Sequence, residues 1–376
     1  MSMNRRAFLS ALAASAALPS VSLARVETDT RLVVVLLRGG LDGLGMVPAT
    51  ADPHFRSARG AAAPTHDGLA LDGPFALHPA MAPLMPLWER HELLVAHAIG
   101  LPYQQRSHFD AQDVLETGHA RPMAFGSGWL SRALHAAALP QPALGVGAHV
   151  PLLLRGPARA TSVDPGRRSL LSADRLAAVR AVLADDPLLS SAIDEGLATR
   201  ALVDSVTVRR SRDMDAQAAT VARLLALPEG PRVAVFDVGG WDTHTGQERV
   251  LERQLGQLAE GLVAFAEADP AVWQKTMVVC VTEFGRTVAG NGTGVTDHGT
   301  GGAALVLGGA IRGRRVLTDW PGLRPQDLLE GRDLRPTLDV RGLLKGVLQA
   351  QLGLSERVLA REVFPDSQDV PILEVV

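Results

Sequence analysis

Three stretches of this 376-residue sequence carry side chains of the kinds that bind cations. RGGLDGL holds Asp42, GGWDTH holds Asp242 and His244, and TEFGRTVAGNGTGVTDHG holds Glu283, Asp297 and His298. A fourth stretch, RSHFD, places Ser107 and His108 beside Arg106. Taken singly, each is weak. A lone Asp-x-His is more often a hydrogen-bonded turn, and an acid after a strand often caps the next helix. Taken together they say more. Four acids and two or three imidazoles gathered at one edge would repel one another unless cations lay between them. Carboxylate with imidazole suits zinc, manganese or iron, whereas no thiolate set points to a closed structural zinc site. Glycines beside each stretch allow the close backbone approach that loops around an ion need.

These stretches need a common edge, and the apolar runs before them supply one. RLVVVLL (31–37), LLVAHAI (93–99), RVAVFDV (232–238), TMVVCV (276–281) and AALVLG (303–308) read as buried strands. Asp42, the Arg106–His108 segment, Asp242 with His244, and Glu283 each follow such a run. In an open α/β sheet, ligands collect at the carboxyl ends of strands. Helical periods lie between the runs. In 247–267, Leu251, Leu255, Leu258, Leu262 and Phe265 share one face. Residues 171–227 are largely helical by the same test and form a candidate insertion. The alternation predicts an α/β fold, a mostly parallel sheet sandwiched by helices. No linker or repeat divides the chain, so 25–376 reads as one domain.

The first 24 residues stand apart. MSMNRRAFLSALAASAALPSVSLA has paired arginines (Arg5, Arg6), a mild alanine-rich run and a small-x-small end. That is the pattern of a twin-arginine signal peptide, cleaved before Arg25. It predicts passage through the twin-arginine translocase to a periplasmic or extracellular destination. Without the leader's two arginines, 35 basic residues face 40 acidic ones. This mild acidity argues against nucleic acid as a partner. Cys280 is the only cysteine, so no intrachain disulfide forms. Among the remaining histidines, His78 and His97 read as structural, and His54, His66, His91, His119 and His135 as surface or helix-flank residues.

The motifs NRRAFL, LLRGGLDGL, ALHPAMAPLMPLW, RSHFDAQDVLETG, GWLSRAL, FDVGGWDTHTGQ, TEFGRTVAGNGTGVTDHGTGGAALVLGG and GRDLRPTLDVRGLL together resemble the exported domain-of-unknown-function 1501 family. That family is grouped with the alkaline phosphatase-like superfamily of phosphatases, sulfatases and phosphoglycerate mutases. The resemblance implies an alkaline phosphatase-like sheet with a two-metal hydrolytic site. It makes Asp42 the metal-binding aspartate after the first strand and Ser107 the nucleophile. It makes Asp242 and His244 the Asp…His metal pair and His298 the last metal histidine, with Asp297 beside it as a further ligand. Two departures stand out. Glu283 is followed by Phe284 where the superfamily has Asp-His, and His108 is the available substitute. The Cys/Ser-x-Pro-x-Arg signature of formylglycine sulfatases is absent.

The expected activity is metal-dependent hydrolysis of a phosphate or sulfate ester, or a related small anionic substrate, with one or two divalent ions such as zinc or manganese. Arg106 and Arg286 are candidates for gripping the non-reacting oxygens, or else structural ion pairs. Ser107 is a nucleophile or a helix N-cap. The alternative from another class is a metal-stabilised, non-catalytic envelope protein that binds or assembles.

Overall fold

The run RLVVVLL forms β1 (Arg31–Leu37), and all of it is buried. The side chains of β1 alternate between two separate cores. Val33, Val35 and Leu37 enter one, and Leu32, Val34 and Leu36 enter the other. A strand covered on both faces must be apolar at every position, so its sequence is a run rather than an alternation. The computed structural model describes residues 29–124, 126–164, 173–183, 185–206 and 214–376. The expected signal peptide, residues 1–24, lies outside the described residues, as do parts of 171–227.

Ten further strands follow. β2 (Leu69–Ala70) and β3 (Ala76–Leu77) form a small antiparallel pair. β4 (Leu93–Gly100), β5 (Ala143–Val146), β6 (Ala160–Val163), β7 (Val233–Val238), β8 (Thr276–Val281), β9 (Gly302–Leu307), β10 (Arg315–Leu317) and β11 (Leu338–Asp339) join β1 in a nine-stranded sheet. Its order is β10-β4-β9-β8-β1-β7-β5-β6, with β11 also on β4. The sheet is mostly parallel, as expected. β9 alone runs against its neighbours, β4 and β8. That reversal matters for the site, because it brings the amino end of β9 to the edge where β1, β7 and β8 end.

Helices cover both faces. Met214–Ala226 and Gln247–Ala268 supply one core, and His108–Thr117, Trp129–Ala136 and Val340–Leu352 the other. Gln247–Ala268 buries Leu251, Leu255, Leu258, Leu262 and Phe265, the predicted stripe. It stops at Asp269, which precedes Pro270, because the residue before a proline is driven out of the helical region. The Asp269 carboxylate then caps the next turn through the Ala271 and Val272 amides, both at 3.0 Å. The expected helical stretch at 171–227 contains Ala173–Val182 and Pro187–Ser205 as well as Met214–Ala226. The last packs into the core through Val221 and Leu225, so it is a layer of the fold. Among the described residues, no helix is long and apolar enough to cross a membrane.

Candidate metal centre

Three adjacent strands, β8, β1 and β7, end side by side, and the turns after them interlock. Gly39 follows β1 with φ +125°, and a Cβ there would collide with the Asp242 amide nitrogen. Only glycine lets the loops after β1 and β7 approach so closely. The same Gly39 N–H donates to Glu283 Oε1 at 2.8 Å, tying in the loop after β8. That loop folds back on itself. Gly299 N–H donates to Gly285 O at 2.9 Å, and Arg286 and His298 form an antiparallel bridge. The bridge sets His298 over the turn that holds Asp242. The fourth contributor comes from the first turn of His108–Thr117, a helix that ends at the left-handed Gly118.

His108, Asp242 and His298 meet. Each offers a ligand atom within 4.8 Å of the others. His108 Nε2 and His298 Nε2 are 3.1 Å apart. Asp242 Oδ1 is 3.0 Å from His298 Nε2, and Asp242 Oδ2 is 3.4 Å from His108 Nε2. Two nitrogens on one tetrahedral zinc, each at about 2.0–2.1 Å, would lie roughly 3.3 Å apart. The donor set therefore fits a divalent ion of the zinc or manganese kind.

The second layer fixes how the first is presented. His108 Nδ1 lies 2.8 Å from Glu283 Oε1, which also receives Gln112 Nε2 at 3.0 Å. A histidine that gives its Nδ1 proton to a carboxylate points the Nε2 lone pair outward, the arrangement usual for metal-binding histidines. The charges agree with this. Burial opposes the Glu283 charge, but hydrogen bonds from His108, Gln112 and the Gly39 amide outweigh it and hold its pKa below the usual range. Burial likewise opposes Asp242, and His298, Arg286, His244 and His108 outweigh it in turn. The hydrogen bond to Glu283 raises His108, against a smaller effect of burial.

The other expected residues fall elsewhere. His244 stands on the exposed rim, its Nε2 at 2.7 Å from Asp242 Oδ1 and its ring centroid 5.2 Å from that of His298. Glu283 stands behind His108 and is 1% exposed. Asp297 is exposed, and its Oδ1 takes a 3.3 Å contact from Asn291. Asp42 is not brought to the cluster. Its buried carboxylate pairs with Arg59 NH2 at 2.6 Å, accepts from Gln247 Nε2 at 2.7 Å, and caps the turn Gly43–Met46 through Gly45 N–H. A guanidinium already neutralises it.

Arg286 is also not placed to grip a substrate. It is 2% exposed and spends its donors on the carbonyls of Gly39, Gly40, Trp241 and Thr296 and on Asp242 Oδ1 at 2.8 Å. Arg106 is held by Asp333 at 2.8 Å and Glu330 at 2.7 Å. Ser107 occupies the N-cap position of His108–Thr117, but its side chain makes no capping bond. Tyr103, four residues earlier, donates its phenol to Asp110 Oδ2 in the first turn of that helix at 2.8 Å. His78 and His97 are structural. His78 Nδ1 accepts from Ala80 N–H at 3.1 Å, and His97 Nε2 meets Val47 O at 2.9 Å. His119, expected near the surface, is buried.

Residues 77–363 match the model of a family described as "Protein of unknown function (DUF1501)". The chain belongs to this family. No curated protein matches the sequence of this DUF1501 chain. Among solved structures it is similar to Ps i-CgsB in complex with k-i-k-neocarrahexaose, with a TM-score of 0.42, 10% identity, and coverage of 87% of this chain and 73% of that one. It is also similar to the lipoteichoic acid synthase LtaP from Listeria monocytogenes, with a TM-score of 0.40, 8% identity, and coverage of 93% and 81%. The zinc complex of the C-terminal periplasmic domain of EcEptC from Escherichia coli gives 0.36, 9%, 75% and 73%.

Around the centre of this DUF1501 chain stand residues that the sequence did not single out: Gln112 on Glu283, Arg59 and Gln247 on Asp42, and Tyr103 on Asp110. Gln112 was within reach, since it lies four residues after His108 and therefore on the same helix face. Gln247 lies five residues after Asp242, but a glutamine opening a helix gave no sign that it would turn to Asp42, and Arg59 lies in a short helix with no pattern pointing at the site.

Proposed function

We propose that this DUF1501 protein is an exported, metal-dependent hydrolase of phosphate or sulfate esters, or of a related small anionic substrate. The observation that carries the reading is the convergence of His108 Nε2, His298 Nε2 and Asp242 on one point, with Glu283 orienting His108. These three residues would hold the ion. A bound divalent ion supplies a Lewis acid at neutral pH, polarising an ester oxygen and lowering the pKa of a coordinated hydroxyl.

The chain's own residues supply the rest. Ser107 is the nucleophile. Its hydroxyl makes no bond to the helix it precedes, and the first amides of a helix have no partner within it and can receive an anion. An ester bond forms from Ser107 Oγ to phosphorus or sulfur as the bond to the departing alcohol breaks, and water then releases the serine. Arg286 acts at one remove, holding Asp242 charged and in place. The twin-arginine leader would carry the protein out of the cytoplasm, with the translocase as its partner in export. Replacing Arg5 and Arg6 with lysine should leave precursor in the cytoplasm, and unchanged export of that variant would refute the route.

A second reading is supported by one feature. Asp242 Oδ1 already accepts from Arg286 at 2.8 Å and lies 2.7 Å from His244 Nε2 and 3.0 Å from His298 Nε2, so the cluster is partly satisfied within the protein. That suits a metal-stabilised binding or assembly protein of the envelope. Turnover separates the two. The purified protein, supplied with zinc, manganese or magnesium, should cleave a generic phosphomonoester, phosphodiester or sulfate ester, and His298→Ala should abolish cleavage. A metal-loaded protein inert towards all three classes supports the second reading.

A further inference from the structure

A chain of hydrogen bonds runs behind the metal centre, and its polarity is fixed from the far end. Arg38, the first residue after β1, is clamped by two acids. Its Nε lies 2.7 Å from Asp237 Oδ1, and its NH2 lies 2.8 Å from Glu116 Oε1. Glu116 is itself buried and fixed by the Leu153 amide at 2.9 Å. The remaining Arg38 nitrogen, NH1, lies 3.2 Å from Gln112 Oε1. A guanidinium has five donors and no acceptor, so the Gln112 amide can face it only with its oxygen. The amide nitrogen must then face the other way, where Glu283 Oε1 receives it at 3.0 Å. Gly39 N–H reaches the same oxygen at 2.8 Å. With two N–H groups aimed at Oε1, no proton sits there. The 2.8 Å contact to His108 Nδ1 must be an N–H of histidine donating to Glu283.

We infer that Arg38 and Gln112 are positioning residues that set the His108 tautomer, so that the Nε2 lone pair faces His298 and Asp242 before any ion arrives. Neither residue reaches the ion. Each acts through the next, and the direction of every bond follows from the clamped guanidinium. The inference rests on the proposed role of His108 as a ligand, and it makes a statement about the metal-free protein as well. Outer-shell partners of this kind typically change metal affinity by about 10–100-fold when removed.

The test uses Gln112→Met, which keeps the volume and removes both ends of the amide. Nitrogen NMR of the metal-free protein labelled at histidine, with His108→Gln identifying the His108 signals, reads the tautomer. Competition with a chromophoric chelator reads zinc affinity. In the wild type the neutral form of His108 should be wholly the Nδ1–H tautomer. Gln112→Met should show both tautomers and a zinc Kd raised about tenfold. Arg38→Lys, which keeps the charge opposite Glu116 and Asp237 but loses the fork, should give a smaller change in the same direction. A single Nδ1–H tautomer in Gln112→Met with a zinc Kd within twofold of wild type would overturn the inference. If the wild type binds no zinc, the ligand reading fails, and the tautomer measurement still decides this one.

Discussion

His108 Nδ1 and Glu283 Oε1 meet at 2.8 Å across 175 residues of chain. This contact joins the turn after β8 to the start of the helix that follows β4, and it decides which nitrogen of His108 faces the cluster. Glu283→Gln keeps the shape and removes the charge. It should raise the Kd for zinc about tenfold or more, read by chelator competition. The pH dependence should move as well. The Glu283 hydrogen bond raises the His108 pKa above its ordinary 6.5, so protons compete with an ion at Nε2 up to a higher pH. Metal affinity should therefore fall as pH drops through neutrality, and the midpoint should shift to lower pH in Glu283→Gln. An unshifted midpoint would remove Glu283 from this role.

Asp42 and Arg59 form a pair with both side chains 2% exposed. Removing one partner of such a pair leaves an uncompensated buried charge, which costs about 3–5 kcal/mol. Arg59→Met should destabilise the protein by that amount in denaturant unfolding, and Arg59→Met with Asp42→Asn by clearly less. Equal losses in the two variants would show that Asp42 is not neutralised by Arg59.

Ser107 separates two roles by one substitution. An N-cap serine can be replaced by asparagine with little loss, but asparagine cannot form an ester intermediate. Since the Ser107 hydroxyl makes no cap bond, Ser107→Asn should fold normally, keep its metal and lose any turnover found for the wild type. An active Ser107→Asn protein would leave a metal-activated water as the attacking group.

His97 and His78 make the fold sensitive to acid. Burial pushes both down to about 4, with the neighbouring His66 adding to the effect at His78. Both are neutral at pH 7 in the folded and unfolded states. As pH falls below 6.5 the unfolded chain takes up protons that the native state refuses, so stability is lost between 6.5 and about 4. Each residue should contribute a loss of about 2 kcal/mol by pH 5. Denaturant unfolding at pH 7 and pH 5 measures this, and His97→Gln should lose less than wild type over that interval. The same loss in His97→Gln would mean that His97 does not cause it.

Much of this was legible in the chain. Strands covered on both faces must be apolar throughout, so β1, β4, β7, β8 and β9 could be read directly, and the acids after them marked the edge of the sheet. His108, Asp242 and His298 were all on that edge. The direction of β9 was not legible, because a strand's composition is the same whichever way it runs. Nor was the pairing of Asp42. Its partner Arg59 lies in a short helix, Phe55–Arg59, with no periodic pattern pointing at the site. Arg286 misled for a related reason. Arginine is mostly exposed, and here a fully buried one holds four backbone carbonyls and Asp242 together.

The central claim is that His108, Asp242 and His298 hold a divalent ion, and metal content tests it most directly. Elemental analysis of protein exchanged into zinc or manganese and then dialysed against metal-free buffer should find one tightly held ion per chain. His108→Ala, Asp242→Ala and His298→Ala should each lose it while keeping the far-ultraviolet circular dichroism of the wild type. A wild type that emerges metal-free, or an ion that survives in all three variants, would contradict the assignment.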